Sequence, residues 1–254
     1  MTKHTLRSRW LLHAVVVLLA VTSASEAAAD DGTGPLGVTV VAVPSERSAR
    51  VGALFDDGQH FCTASVVHSP GRDLIATAAH CLDEDAGELV FAPGYRDGRF
   101  PYGRWKVGRR FMPDGWAKEE DEDSDVAFAV VEGEGGEGGE GEGGKRIEDL
   151  VGGNRLATRT ATGATAVTVT GYPDSREVPI SCTNKPVPHS RTQQRIECPD
   201  FSGGTSGSPW INGDGQLVGI LGGHEEGGAT ADVSYSVVLG AEAAELYRDA
   251  AGDP

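Results

Sequence analysis

The sequence predicts an all-β protein, and three observations lead there. Short apolar stretches rich in β-branched residues recur along the chain: VGALF (51–55), CTASVV (62–67), LIATAA (74–79), DVAFAVV (125–131), TAVTVTGY (165–172), QLVGIL (216–221) and VSYSVV (233–238). Gly, Pro, Asp and Ser punctuate them, the residues that turn a chain and interrupt helices. The periodicity of amphipathic helices is nearly absent until GAEAAELYRDA (240–250), which reads as a C-terminal helix. A chain of this length built from such short strands calls for barrels or a sandwich.

Taken in order, the chain opens with an export signal. Lys3, Arg7 and Arg9 precede an apolar run from Leu11 to Val21, and small residues follow through Ala29. A basic start, an apolar middle and a small-residue end make a secretory signal peptide, with cleavage expected near Ala27–Ala29. The run of 11 residues is short of the roughly 20 that cross a bilayer, and no later stretch does better. Residues 1–29 are therefore expected to be removed, leaving a secreted, extracellular protein with no membrane anchor. Their loss takes away three basic side chains and one acidic one, moving the formal charge from −16 to about −18. That excludes a nucleic-acid partner, because phosphate binding needs a basic face.

The remaining chain divides into an N-terminal segment (30–49), a strand-rich half (50–131), a connection (132–165), a second strand-rich half (166–239) and the terminal helix and tail (240–254). Residues 132–144 contain only Glu and Gly. They combine high backbone entropy with self-repelling charge and have nothing to bury, so they read as a solvated linker or long loop without a ligand role. The acidic run EEDED (119–123) lacks the spaced ligands and turn glycine of a calcium loop and reads as solvated surface. Cys62, Cys81, Cys182 and Cys198 are even in number in an exported chain, which favours two disulfides over metal ligation; three pairings are open. No metal and no cofactor is expected.

The stretch DFSGGTSGSPW (200–210) crowds three serines among glycines. Serine is a weak nucleophile unless a base takes its proton, and that base must itself be oriented by a third group. His80 lies in ATAAHC at the end of an apolar strand pattern, next to a cysteine that can pin its loop. Asp125 opens DVAFAVV, where a carboxylate at the start of a buried strand can receive an imidazole N–H. Singly, each has an ordinary reading as a structural or solvated residue. Together, TAAHC (77–81), SDVAFAVV (124–131), GYP (171–173) and GGTSGSP (203–209) resemble the trypsin-like, or chymotrypsin-fold, serine peptidases. The resemblance is closest to the bacterial secreted branch that includes the glutamyl endopeptidases. It spans residues 50–239, in the order His, Asp, Ser.

That resemblance implies two packed six-stranded antiparallel β-barrels with a cleft between them and a short C-terminal helix. It implies a monomeric serine endopeptidase acting on a peptide or protein substrate. Ser206 is the nucleophile, His80 the base and Asp125 its orienting carboxylate, with Asp123 as runner-up. The backbone N–H groups of Gly204 and Ser206 form the oxyanion hole, and Ser202 and Ser208 are scaffold. The implied disulfides are Cys62–Cys81 and Cys182–Cys198. The substrate pocket falls to Asp200, Gly222, Gly223 and Val233, with Asp200 at the base in the manner of enzymes that cut after Arg or Lys, or turned to solvent beside an apolar pocket. Two departures stand out. Gly222 replaces a serine that commonly supports the catalytic carboxylate, and Leu221 replaces the histidine of the glutamyl endopeptidases, so glutamate selectivity does not carry over. Thr205 replaces the aspartate that pairs with a freed N-terminus in zymogens, so the tempting Arg50-Val51 cut is expected to be unnecessary. The competing reading is an inactive, peptidase-shaped binding protein.

Overall fold

The computed structural model describes residues 35–82, 87–133 and 145–252. The expected signal peptide and residues 134–144 of the Glu/Gly run lie outside the described residues. Strand β1 (Thr39–Val41) and helix α1 (Glu46–Ala49) precede a closed barrel. Its strands are β2 (Val51–Asp56), β3 (Gln59–Val67), β4 (Leu74–Thr77), β5 (Val90–Pro93), β6 (Trp105–Phe111) and β7 (Ala127–Gly133), closed in the order β2-β3-β4-β7-β6-β5. Helix α2 (Asp114–Glu119) bridges β6 and β7. Asp57 and Gly58, both at positive φ (46° and 80°), make the two-residue turn joining β2 to β3. Leu54, Val66, Ile75, Phe91 and Phe128 are fully buried in the barrel core.

The second half starts with helix α3 (Ile147–Val151) and β8 (Arg155–Leu156). It continues with β9 (Val167–Gly171), β10 (Ile180–Asn184), β11 (Val187–Pro188), β12 (Gln193–Glu197), β13 (Pro209–Asn212), β14 (Gln216–Ile220) and β15 (Val233–Val237). These strands form two sheets, a six-stranded one ordered β1-β10-β9-β13-β14-β8 and a three-stranded one ordered β11-β12-β15. The short β14–β8 pairing is parallel. Where β14 passes β15 the ladder shrinks to one bridge, Leu221 to Ser236. Side chains take over there: the Ser236 hydroxyl accepts the Ile220 N–H at 2.9 Å, and Gln194 Nε2 donates to Val218 O at 3.4 Å. Gly219 makes room for them, since a Cβ there would stand 2.8 Å from Ser236 Oγ. The second half is thus a barrel-like pair of sheets stitched by side chains.

Helix α4 (Ala241–Gly252) lays Ala243 and Ala250 on the first barrel, with Tyr247 edge-on to Phe128 at 5.7 Å. A third apolar cluster, from Val51 and Phe55 to Tyr95 and Tyr172, joins the halves. Both disulfides form, Cys62–Cys81 and Cys182–Cys198, each within one half. Among the described residues no helix is long and apolar enough to cross a membrane.

Candidate active site

Strand β4 ends at Thr77, and the chain tightens into a short 3-10 turn, Ala79–Leu82, that presents His80. The Cys62–Cys81 disulfide ties this turn to β3. Asp125 follows another 3-10 turn, Glu122–Ser124, two residues ahead of β7. It is fully buried. Its Oδ2 lies 2.8 Å from His80 Nδ1 and its Oδ1 accepts the His80 backbone N–H at 3.1 Å. A third bond comes from the Gly223 N–H, which donates to Oδ2 at 2.7 Å.

That third bond resolves what Gly222 does. A Cβ at position 222 would stand 2.6 Å from Asp125 Oδ2 and 3.1 Å from the Ala78 Cβ. The second half approaches the carboxylate too closely for any side chain, and a backbone amide provides the support that a serine hydroxyl could have given. Asp123 has another task, accepting Gln193 Nε2 at 2.9 Å.

The segment between Asp200 and β13 is held peptide by peptide. Gly203 O accepts the Asp174 N–H (2.8 Å), Gly204 O accepts the Thr63 hydroxyl (3.0 Å), and Thr205 O accepts the Ser208 N–H (3.0 Å). Ser206 O accepts the Thr63 N–H at 2.7 Å. A trans peptide points its N–H opposite its carbonyl, so fixing these carbonyls also fixes the N–H groups of Gly204 and Ser206. Neither N–H donates to a protein acceptor among the described residues. Gly204 is required where it stands: its φ is +88°, and a Cβ would meet Asp174 N and Tyr172 O at 2.5 and 2.6 Å.

Thr63 was missing from the residues singled out in the sequence. Fully buried on β3, its hydroxyl accepts the Tyr172 N–H at 2.9 Å while donating to Gly204 O, and its own carbonyl accepts the Thr77 hydroxyl at 2.8 Å. Nothing in QHFCTASVV sets it apart, since Gln59, His60 and Ser65 are polar in the same strand. Gly207 is its counterpart across the cleft, since a Cβ there would lie 2.0 Å from Thr63 O.

The three serines separate by environment. Ser208 is fully buried with no partner for its hydroxyl, Ser202 is exposed, and Ser206 is partly exposed. The Ser206 hydroxyl meets Glu226 O at 3.4 Å, long for a bond of this kind. Thr205 is buried and uses its hydroxyl locally, donating to Ser202 O at 2.7 Å. Val51 lies buried at the start of β2, paired with Ser65 and accepting the Gly94 N–H on its carbonyl.

Asp200 does not sit where a buried pocket base would be. It is exposed at φ +69°, and the next residue turns away to donate its N–H to Ala231 O. A carboxylate left in water discriminates weakly for charge, because the solvent screens it. Val233 is partly buried on β15, and Gly223 and Gly222 run beside Asp125. His224 stacks on His189 at 4.9 Å and packs edge-on to Tyr235.

A closed β-barrel abutting a second β unit, with an imidazole–carboxylate pair on one and a glycine-rich serine turn on the other, defines a chymotrypsin-fold protein. The trypsin-like peptidase domain pattern matches residues 62–220, and the chain belongs to that family. The glutamyl endopeptidase of Bacillus licheniformis is 29% identical over 156 residues, which is 58% of this chain and 44% of that protein. The chain therefore spans less than half the length of this relative. Among solved structures, the protease Anisep from Arthrobacter nicotinovorans superposes with a TM-score of 0.71 at 25% identity, over 85% of this chain and all of that one. The thermostable serine protease AL20 from an extremophilic microorganism gives 0.69 at 27% identity, over 83% of this chain and all of that one.

Proposed function

We propose that this protein is a secreted serine endopeptidase working through an acyl-enzyme, with Ser206 as nucleophile, His80 as general base and then acid, and Asp125 as the group that orients and stabilises the imidazolium. The observation that carries the reading is the pinned turn. Among the described residues the Gly204 and Ser206 N–H groups have no protein acceptor, while the carbonyls of Gly203, Gly204 and Thr205 are all engaged. Two donors held in advance suit the negative oxygen of a tetrahedral intermediate, and such preorganised electrostatics are a large part of catalysis in acyl transfer.

The chemistry follows from these roles. Asp125 accepts a hydrogen bond from the His80 Nδ1–H, which leaves Nε2 to accept a proton. The loosely held Ser206 hydroxyl turns to the imidazole, loses its proton and attacks the scissile carbonyl carbon. The oxyanion rests on the Gly204 and Ser206 N–H groups. Collapse breaks the C–N bond as His80 returns the proton to the leaving amine, and a water repeats the sequence to release the acyl group. Thr63 acts as a positioning residue in this scheme by holding the carbonyls on either side of Thr205. That local network stands in for a zymogen ion pair, so cutting after Arg50 is not needed. Exposed Asp200 leaves basic P1 residues without an advantage, and partly buried Val233 suits apolar P1 side chains. Two disulfides suit an oxidising, extracellular setting.

The test is active-site titration with a peptidyl organophosphonate. One equivalent of label on Ser206, with hydrolysis lost in step, is the expected result. Folded protein that takes up no label is the inactive binding protein instead. A P1-scanning library run beside Asp200→Ala checks specificity, and an Arg or Lys preference abolished by that change overturns the P1 assignment.

A further inference from the structure

Away from the cleft, a cavity of about 280 Å³ lies between α1, the start of β2 and the outer face of the second half. Its lining is unusual for this chain. The sequence carries 38 acidic and 22 basic residues, yet among the described residues no Asp or Glu lines the cavity, whereas Arg47 and Arg50 both do. Arg50 is the residue whose pairing with Val51 imitates an activation site; the structure gives its side chain a different setting.

The Arg50 Nε is buried without a hydrogen-bond partner, and among the described residues no carboxylate pairs with this guanidinium. Space is kept for it by Gly152, where a Cβ would crowd Nε to 3.1 Å. A guanidinium nitrogen that has lost water without gaining an acceptor is costly to keep. Asn154 repeats the pattern on the same cavity. It is 4% exposed, its backbone is fixed by Val66 O and the His68 N–H, and its Nδ2 has no partner. On the facing sheet Thr168 and Thr183 share a hydrogen bond at 2.8 Å. Two hydroxyls joined by one such bond keep one O–H proton free to donate.

We infer that this cavity is a binding site for a small oxyanion, a carboxylate, sulfate or phosphate group. Arginine, asparagine and threonine side chains line it together, and among the described residues the lining carries no carboxylate to compete for them. A guanidinium matches two oxygens of such a group side by side, and the amide and hydroxyl serve those that remain. The volume admits the anionic group together with part of whatever bears it. No residue of the proposed catalytic set lines the cavity, although β13 leads into its wall at Pro209, three residues beyond Ser206. The site therefore stands whether or not the peptidase reading does.

The experiment is calorimetric titration of the signal-cleaved protein, carrying Ser206→Ala to prevent self-digestion, with sodium sulfate, phosphate and acetate at constant ionic strength set by chloride. Saturable binding of at least one anion is expected, weakened roughly tenfold or more by Arg50→Gln and less by Thr168→Val. Preference for acetate identifies a carboxylate ligand, and preference for sulfate or phosphate a tetrahedral one. Selenate soaked into crystals should give an anomalous peak between Arg50 and Asn154. Heats that never saturate overturn the inference, as does binding that survives Arg50→Gln unchanged. Thr168→Val keeps the test decisive should the arginine variant not fold.

Discussion

In the first barrel each strand finds two backbone partners, and the ring β2-β3-β4-β7-β6-β5 closes by ladders alone. In the second half the β14–β15 seam is held by one bridge, the Ser236 hydroxyl and the Gln194 amide. The first unit presents His80 and Asp125 from turns locked by a disulfide and a buried carboxylate, and the second presents Ser206 from a turn whose carbonyls are largely held from outside itself. The contrast teaches where rigidity comes from. An apolar barrel can hold a site by burial, whereas a polar seam and a glycine-rich turn need each donor matched to an acceptor, some across the cleft from Thr63.

The largest effect expected from breaking this division lies at the turn itself. Ser206→Ala should lower kcat by on the order of a millionfold, as loss of a triad nucleophile does. Ser202→Ala and Ser208→Ala should retain most of the activity, since one side chain is exposed and the other is a buried hydroxyl without a partner. Steady-state hydrolysis of a peptide anilide distinguishes them, and an active Ser206→Ala would end the assignment of that serine.

Next in size is the clamp between the halves. Thr63→Val keeps the shape but leaves Gly204 O and the Tyr172 N–H without partners. Because an ångström of misplacement at a reacting group is expensive, kcat should fall roughly ten- to a hundredfold with KM little changed. Affinity for a peptide aldehyde, which needs the oxyanion hole, should fall in parallel, and Thr63→Ser should restore both. A loss confined to thermal stability would make Thr63 structural only.

A pair of serines sharpens the comparison further. Ser236→Ala removes the acceptor of a buried Ile220 N–H, which should destabilise by about 1–3 kcal/mol. Ser65, fully buried in the first barrel, has a hydroxyl with no partner, so Ser65→Ala should be nearly neutral. Urea denaturation of both variants checks this. Equal losses would mean that the two halves are not closed by different means.

The legibility of the sequence follows the same division. All seven apolar stretches coincide with a strand over most of their length, because alternating or continuous apolar residues are what a barrel core demands. Strands β6 and β12 were not anticipated: WKVGRRF and QQRIE carry charge and amide groups that only the finished fold explains, Gln193 and Gln194 being buried as hydrogen-bonding members of the second half. His80, Asp125 and Ser206 could be picked out by their motifs. Thr63 and the amide of Gly223 could not, since the first looks like any strand threonine and the second acts through its backbone.

The smallest expected effect concerns the junction, where Tyr95 from the first half meets Tyr172 from the second, whose hydroxyl donates to Tyr95 O at 2.9 Å. Burial, and then the hydrogen bond to Glu177, push the Tyr95 phenol up to about 12 from an ordinary 10.0. Burial raises Tyr172 as well, with the nearby Arg96 pulling the other way. Below about pH 10 both phenols are protonated whether the chain is folded or not, and the contribution to stability is fully present. As pH rises through 10 towards 12 the unfolded chain gives up protons that the folded chain keeps, so the folded state loses ground. Stability measured by urea unfolding between pH 8 and 11 should therefore be flat and then decline. Tyr172→Phe should remove its share of the decline while leaving the barrel core of Leu54, Ile75 and Phe128 untouched. A decline of the same steepness in Tyr172→Phe would place the alkaline weakness elsewhere than the junction.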